Sequence, residues 1–211
     1  MSLCTLAGVR AFIGKPDADT DDDALLTSLI LRVSDRLAIA AGRVHNGAPC
    51  LEKADVVQYL SVDEASTHTL WLAAYPVVSV TEIKEALYGD YASVDALTEN
   101  RDYQLRSDLG GLYRIGFWLP GVKTVKGSYI GGYTPPDVYG AMGYEAAAGE
   151  VYLPADIEHA AIMQAAFWFG RRDKLGLTGA GVAGGTFTTY ARDELLPEVR
   201  QVMASYRRMV A

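Results

Sequence analysis

The chain has 211 residues, of which 50% are hydrophobic and 21% charged, and its formal net charge is −7. That balance describes one large globular domain or two small lobes, and it excludes a disordered or fibrous chain. The acidic surplus disfavours tight binding to nucleic-acid phosphates, which needs clustered Lys and Arg, and no apolar run reaches the roughly 18 residues of a membrane helix.

The opening stretch, MSLCTLAGVRAF, lacks the basic region, long apolar run and cleavage site of a secretory signal, so the chain is expected to stay in the cytoplasm where it is made. Residues 6–14 read as a short helix stopped by Gly14, with Pro16 beyond. In the acidic run that follows, Asp17, Asp19 and Asp21 alternate like the first ligands of an EF-hand loop. The match then fails, with Asp22 where that loop needs glycine and Ser28 where it needs glutamate. Helix capping accounts for the run better: Thr20 or Asp21 can accept from free backbone N–H groups, and acidic residues suit the positive end of the helix dipole. Leu25, Leu26, Leu29, Ile30, Val33 and Leu37 recur at helical spacing, and Gly42 ends that helix.

From residue 55 the period changes. The stretches VVQYLSV, HTLWLAAY, PVVSVTEI, RDYQLR, GGLYRI and VKTVKGSYIGGY are short, rich in β-branched and aromatic residues, and punctuated by Pro, Gly, Asn and Asp. They predict an antiparallel meander over residues 55–133, with hairpin turns at 107–112 (SDLGGL) and 118–123 (WLPGVK). Residues 134–153, with two prolines and several glycines, read as a long loop.

Pro154 opens a helix with a broad apolar surface. Pro197 opens another, in which Val199, Val202, Met203, Tyr206, Met209 and Val210 form an amphipathic stripe. The expected fold is therefore α+β: a small helical bundle built from residues 1–54 and 154–211, with an antiparallel β lobe inserted at 55–133 and a long loop at 134–153.

The chain carries few chemistry-bearing motifs. Cys4 and Cys50 are not in a C-x-x-C pair, and His45, His68 and His159 are scattered, so no metal site is predicted. No G-x-S-x-G, H-E-x-x-H or P-loop motif is present, and no catalytic or cofactor-binding residue is nominated. Residues 179–184, GAGVAG, match the dinucleotide fingerprint G-x-G-x-x-G. Their context is wrong, because a helix rather than a strand precedes them and a β-branched stretch follows. A glycine-rich joint between two helices is the better reading, with Gly176, Gly179, Gly181, Gly184 and Gly185 as hinge residues. A nucleotide-dependent enzyme using that stretch remains the alternative. Another is a β-lobe module for protein or carbohydrate, with Trp71 and Trp118 among its contacts.

Phe167, Trp168 and Phe169 stand in succession on one helix, pointing about 100° apart. Either that helix is buried on several sides within the subunit, or its second face meets another subunit. Trp168, Phe169, Arg171 and Arg172 are the candidates for such an interface, aromatics and Arg being enriched there.

Several stretches, in this order, resemble the head–tail connector (adaptor) proteins of tailed double-stranded-DNA bacteriophages, prophages and gene-transfer agents. They are TLAGVRAFIG, DTDDDALLTSLILRVSDRLAIAAGR, YPVVSVTEI, RDYQL, KGSYIGGYTPP and LPEVRQVMASYRR. The stretch 139–150 departs from the family by its length. The resemblance implies a structural, non-enzymatic subunit of a virion, without a cofactor. Such a subunit forms a homo-oligomeric ring, typically a dodecamer, beneath the portal, and can be a monomer in solution. The ring would extend the DNA channel without binding DNA specifically and would offer a platform to a tail-completion or stopper protein. The resemblance also assigns portal docking to the last helix, here Val202, Tyr206, Arg207 and Arg208, and lets the glycine joint swing that helix.

Overall fold

The computed structural model describes residues 2–16, 18–141, 144–145, 148–172 and 195–208. Thr5 opens α1 (Leu6–Phe12) by accepting the Gly8 N–H at 3.0 Å, and Gly14 leads the chain out of it. In α2 (Asp23–Ala40) the expected stripe is buried at Leu26, Ile30, Val33 and Leu37. The capping expectation is corrected. Asp22 holds the cap position without a side-chain bond to the helix, so neither Thr20 nor Asp21 is the cap. The acidic run binds cations instead: Lys15 Nζ donates to Asp19 at 2.9 Å and to Asp22 at 2.6 Å, and Arg10 pairs with Asp23. A charge-assisted bond to an ammonium outweighs a neutral backbone donor, which solvent can satisfy.

Beyond α2, β1 (Val44–His45) and β2 (Ala48–Pro49) form a small hairpin. Its turn is Asn46-Gly47, both at positive φ, a pair whose preference for such turns is a legible signal that the helical reading of residues 1–54 passed over.

The six expected strand stretches all form strands: β3 (Ala54–Val62), β4 (Thr69–Trp71), β5 (Val77–Glu85), β6 (Tyr103–Arg106), β7 (Gly111–Arg114) and β8 (Gly121–Gly131). Their pairing is antiparallel, but their order is not a meander. They make two three-stranded sheets, β3-β8-β5 and β4-β7-β6, so the last strand lies between the first and third. Register runs from Ala54↔Gly131 to Leu60↔Val125 on one side of β8 and from Val77↔Gly131 to Glu85↔Val125 on the other, with bulges in both pairings. The SDLGGL turn does join β6 to β7. WLPGVK is not a hairpin; it carries the chain from one sheet to the other. Trp118 explains why: it is 1% exposed, and its Nε1 donates to the His68 carbonyl at 2.8 Å, which makes it a buried anchor rather than a turn tip. The end of β8 is crowded on both sides. A Cβ on Gly132, at φ +106°, would stand 2.3 Å from the Glu52 carbonyl oxygen, so only glycine passes there.

In the long stretch after β8, α3 (Pro136–Tyr139) forms a single turn, Thr134 bridges to Tyr152, and Glu150 pairs with Lys53. Then come α4 (Ala155–Gly170) and α5 (Pro197–Ser205). Helices from both ends of the chain share one apolar core, in which Val9, Leu26, Leu37, Ile157, Val199 and Met203 are buried. The strands enclose a second around Leu72, Ile83, Leu112, Trp118 and Val125. The fold is thus α+β, a helical bundle drawn from the two chain ends with the antiparallel strands between them in sequence. Among the described residues, no helix is long and apolar enough to cross a membrane and no group of three His, Cys, Asp or Glu is arranged to hold a metal ion.

Candidate functional site

The helical bundle and the β lobe meet at a seam organised by Tyr75. The segment leading to it is fixed from the β side: Gln58 Oε1 accepts from the Tyr129 hydroxyl and from the Ala73 N–H, both at 2.9 Å, and the Tyr129 oxygen accepts the Ala74 N–H at 3.1 Å. Arg43 arrives from the helical side, just past α2, and is 1% exposed. Its Nη1 donates to the Tyr75 carbonyl, and its guanidinium carbon lies 3.0 Å from the centre of the Tyr75 ring. Arg208 arrives from beyond α5. Its guanidinium carbon is 3.9 Å from the same ring centre and 5.1 Å from that of Trp71, and its Nη2 donates to the Leu72 carbonyl at 2.6 Å. Burial pushes the pKa of both guanidiniums down, and the charge of Arg208 adds to the shift at Arg43, which the phenols of Tyr75 and Tyr133 oppose.

The residues assigned to docking are thereby placed. Val202 and Arg208 are half-buried, Arg207 is exposed beside Gly42, and the Tyr206 hydroxyl donates to the Asp156 carboxylate at 2.7 Å. Tyr206 and Arg208 thus make contacts within their own chain, one to α4 and one to the β lobe. Nothing in the amphipathic pattern of the last helix signalled this, because the stripe reports helical packing and says nothing of where the arginines beyond it reach. Met209 and Val210 of the stripe lie outside the described residues.

The aromatic run on α4 is also placed. Trp168 is 9% and Phe169 7% exposed in the chain alone, both packed in the helical core. Arg32 of α2 lies 5.1 Å over the Trp168 ring, Arg172 3.9 Å over Phe169, and Arg171 5.3 Å over half-buried Phe167. Arg172 also approaches Asp22 at 3.8 Å, which joins this knot to the acidic run. The five hinge glycines and the fingerprint at 179–184 lie outside the described residues. Trp118 is core, and Trp71 belongs to the seam.

Other features stand apart. Glu52 lines a cavity of about 240 Å³ together with Leu3, Ser34, Ala38 and Leu51. Burial pushes its carboxyl up to about 7; Asp137 and Asp35 add to the shift and the chain's amino terminus opposes it. At the edge of the β lobe Tyr88 is 97% exposed at φ +62°, beside Tyr59, Tyr91 and Val122. Tyr113, Ile115 and Phe117 make a second exposed apolar group, with His68 packed against two of its rings. Cys4 is buried and its thiol is pushed up to about 12, which keeps it protonated and unreactive.

No family model matches the chain, and no curated protein is similar to it in sequence. Solved structures are similar. A chain from the neck of an empty gene transfer agent (GTA) particle, computed with C6 symmetry, superposes with a TM-score of 0.58 at 17% identity, over 99% of this chain and 91% of that one. The fold is that of a GTA neck chain. A chain in the virion of a native GTA particle gives a TM-score of 0.56 at 17% identity, over 100% and 96% of the two chains. A chain of the native GTA neck computed with C12 symmetry gives 0.54 at 14% identity, with the same coverage.

Proposed function

We propose that this chain is a structural head–tail connector subunit of a phage-like particle, an adaptor that assembles as a ring under the portal. The observation that carries the reading is the extent of the structural match: it spans 99–100% of this chain and 91–96% of the GTA neck and virion chains, not a shared fragment. The sequence resemblance points the same way through the order of its stretches. The symmetry of the neck reconstructions supports a ring, with twelve copies as the proposed number. In this reading the ring lines the DNA channel, and its acidic surplus of −7 keeps DNA from adhering to it. The portal meets the last helix and the residues after it, the opposite rim receives a tail-completion or stopper protein, and the α4 end with Arg171 and Arg172 contributes to contacts between copies. The glycine-rich joint lets the last helix change position on assembly. The activity is mechanical; no step of bond chemistry is assigned.

The test is assembly. The purified chain is expected to sediment as a monomer, and to form a closed ring by electron microscopy when mixed with the portal ring of its own particle. A chain that ignores the portal and binds a nucleotide saturably, with a thermal shift, refutes the reading in favour of the enzyme alternative.

A further inference from the structure

Two guanidinium groups share one tyrosine at the seam. Their central carbons lie 3.0 and 3.9 Å from the Tyr75 ring centre, so both guanidiniums rest against the one ring. The ring attracts each cation, but the two cations repel one another at close range in a poorly solvated place. Among the described residues no carboxylate pairs with either arginine, and both Nε atoms are buried without a hydrogen-bond partner.

The two arginines are not equally held. Arg43 is enclosed, and its own N–H is bonded to the Ala38 carbonyl at 2.8 Å at the end of α2. Arg208 is half-buried, follows a nine-residue helix, and grips the β lobe through the Leu72 carbonyl and two rings. Its entry depends on Gly110, at φ +65°: a Cβ there would stand 3.3 Å from Arg208 Nη2 and 3.2 Å from the Leu72 oxygen.

We infer that the Arg43–Tyr75–Arg208 cluster is a self-limiting latch, which holds Arg208 on the β lobe of the free chain and surrenders it to a partner surface that presents carboxylates. The partner's chemistry follows from what the seam lacks. Among the described residues it offers Arg208 a carbonyl, ring faces and the Tyr75 hydroxyl but no carboxylate, whereas a carboxylate forms a bidentate, charge-assisted pair with a guanidinium. Exposed Arg207 stands ready to add a second pair. Arg43 sets the release threshold, since its charge opposes that of Arg208 in the closed state only. The latch stands on the seam geometry and does not depend on ring assembly.

Hydrogen exchange on the full chain tests it. The Leu72 N–H donates to the Gly110 carbonyl at 2.8 Å and so reports on the notch. Arg43→Gln, which keeps a donor and removes the charge, is expected to slow Leu72 exchange roughly fivefold by tightening the latch. Unchanged or faster exchange overturns the inference, because a purely supporting Arg43 would loosen the seam when replaced. If that variant does not fold, the natural chain decides. A hexaglutamate peptide is expected to speed exchange at Leu72 and at 203–208 relative to chloride of equal ionic strength, and equal rates overturn the inference. Arg208→Gln is expected to abolish the response to hexaglutamate; an undiminished response also overturns it.

Discussion

Replacing Glu52 by glutamine separates the cost of a buried charge from the packing around it. In the folded chain the Glu52 carboxyl is held at about 7, against 4.5 for an unperturbed glutamate, because burial disfavours its charged form. Between those values the folded chain binds more protons than the unfolded chain, so this group makes stability fall as pH rises through the window and level off above it. The full displacement is worth about 3 kcal/mol. The group is only partly enclosed, and solvent screening reduces this to about 1–2 kcal/mol. Glu52→Gln resembles the protonated acid in shape and cannot ionise. It is expected to raise the thermal midpoint at pH 8 by about 3–6 °C and to leave it nearly unchanged at pH 5. Differential scanning calorimetry of both chains across pH 5–8 measures this. A variant no more stable than the natural chain at pH 8, or one shifted equally at both ends of the range, refutes the assignment of a buried, charge-averse carboxyl.

Three further outcomes are expected. Trp118→Ala removes the buried anchor between the two sheets and its bond to the His68 carbonyl, costing about 3–5 kcal/mol, read as a lowered urea midpoint. Gly132→Ala forces a side chain onto the Glu52 backbone at a positive φ and is expected to cost more than about 2 kcal/mol, whereas the same change at exposed Gly170, where a Cβ meets open space, is tolerated; a thermal melt of both variants tests the contrast. Gln164 is fully buried in α4 and accepts the Leu196 N–H at 2.9 Å, so Gln164→Leu should destabilise the chain by about 1–2 kcal/mol and speed exchange of the Leu196 amide ahead of that of α2.

The helices and strands were legible because each follows from a local period. Leu26, Ile30, Val33 and Leu37 lie on one face of a helix wherever that helix sits, and the Val- and Tyr-rich stretches extend because branched side chains favour a pleated surface. Pro197 at the first turn of α5 and Gly14 after α1 are equally local. The inserted β lobe followed from the change of period along the chain.

What the sequence by itself determined, then, was the identity of the longer helices and of the six strands β3 to β8, and the α+β class. Only the tertiary structure decided their partners. The place of β8 between β3 and β5 depends on how closely its glycines let Ala74 and Glu52 approach, a distance between residues far apart in the chain. Whether Lys15 or a helix end takes the carboxylates of the acidic run is a competition settled by where Lys15 lies once α1 packs. The seam is the extreme case. Arg43, Tyr75 and Arg208 carry no common motif, and a cation's contact with a ring face has no period along the sequence. Long-range contacts are set by the sum of packing in three dimensions, and only the folded chain performs that sum.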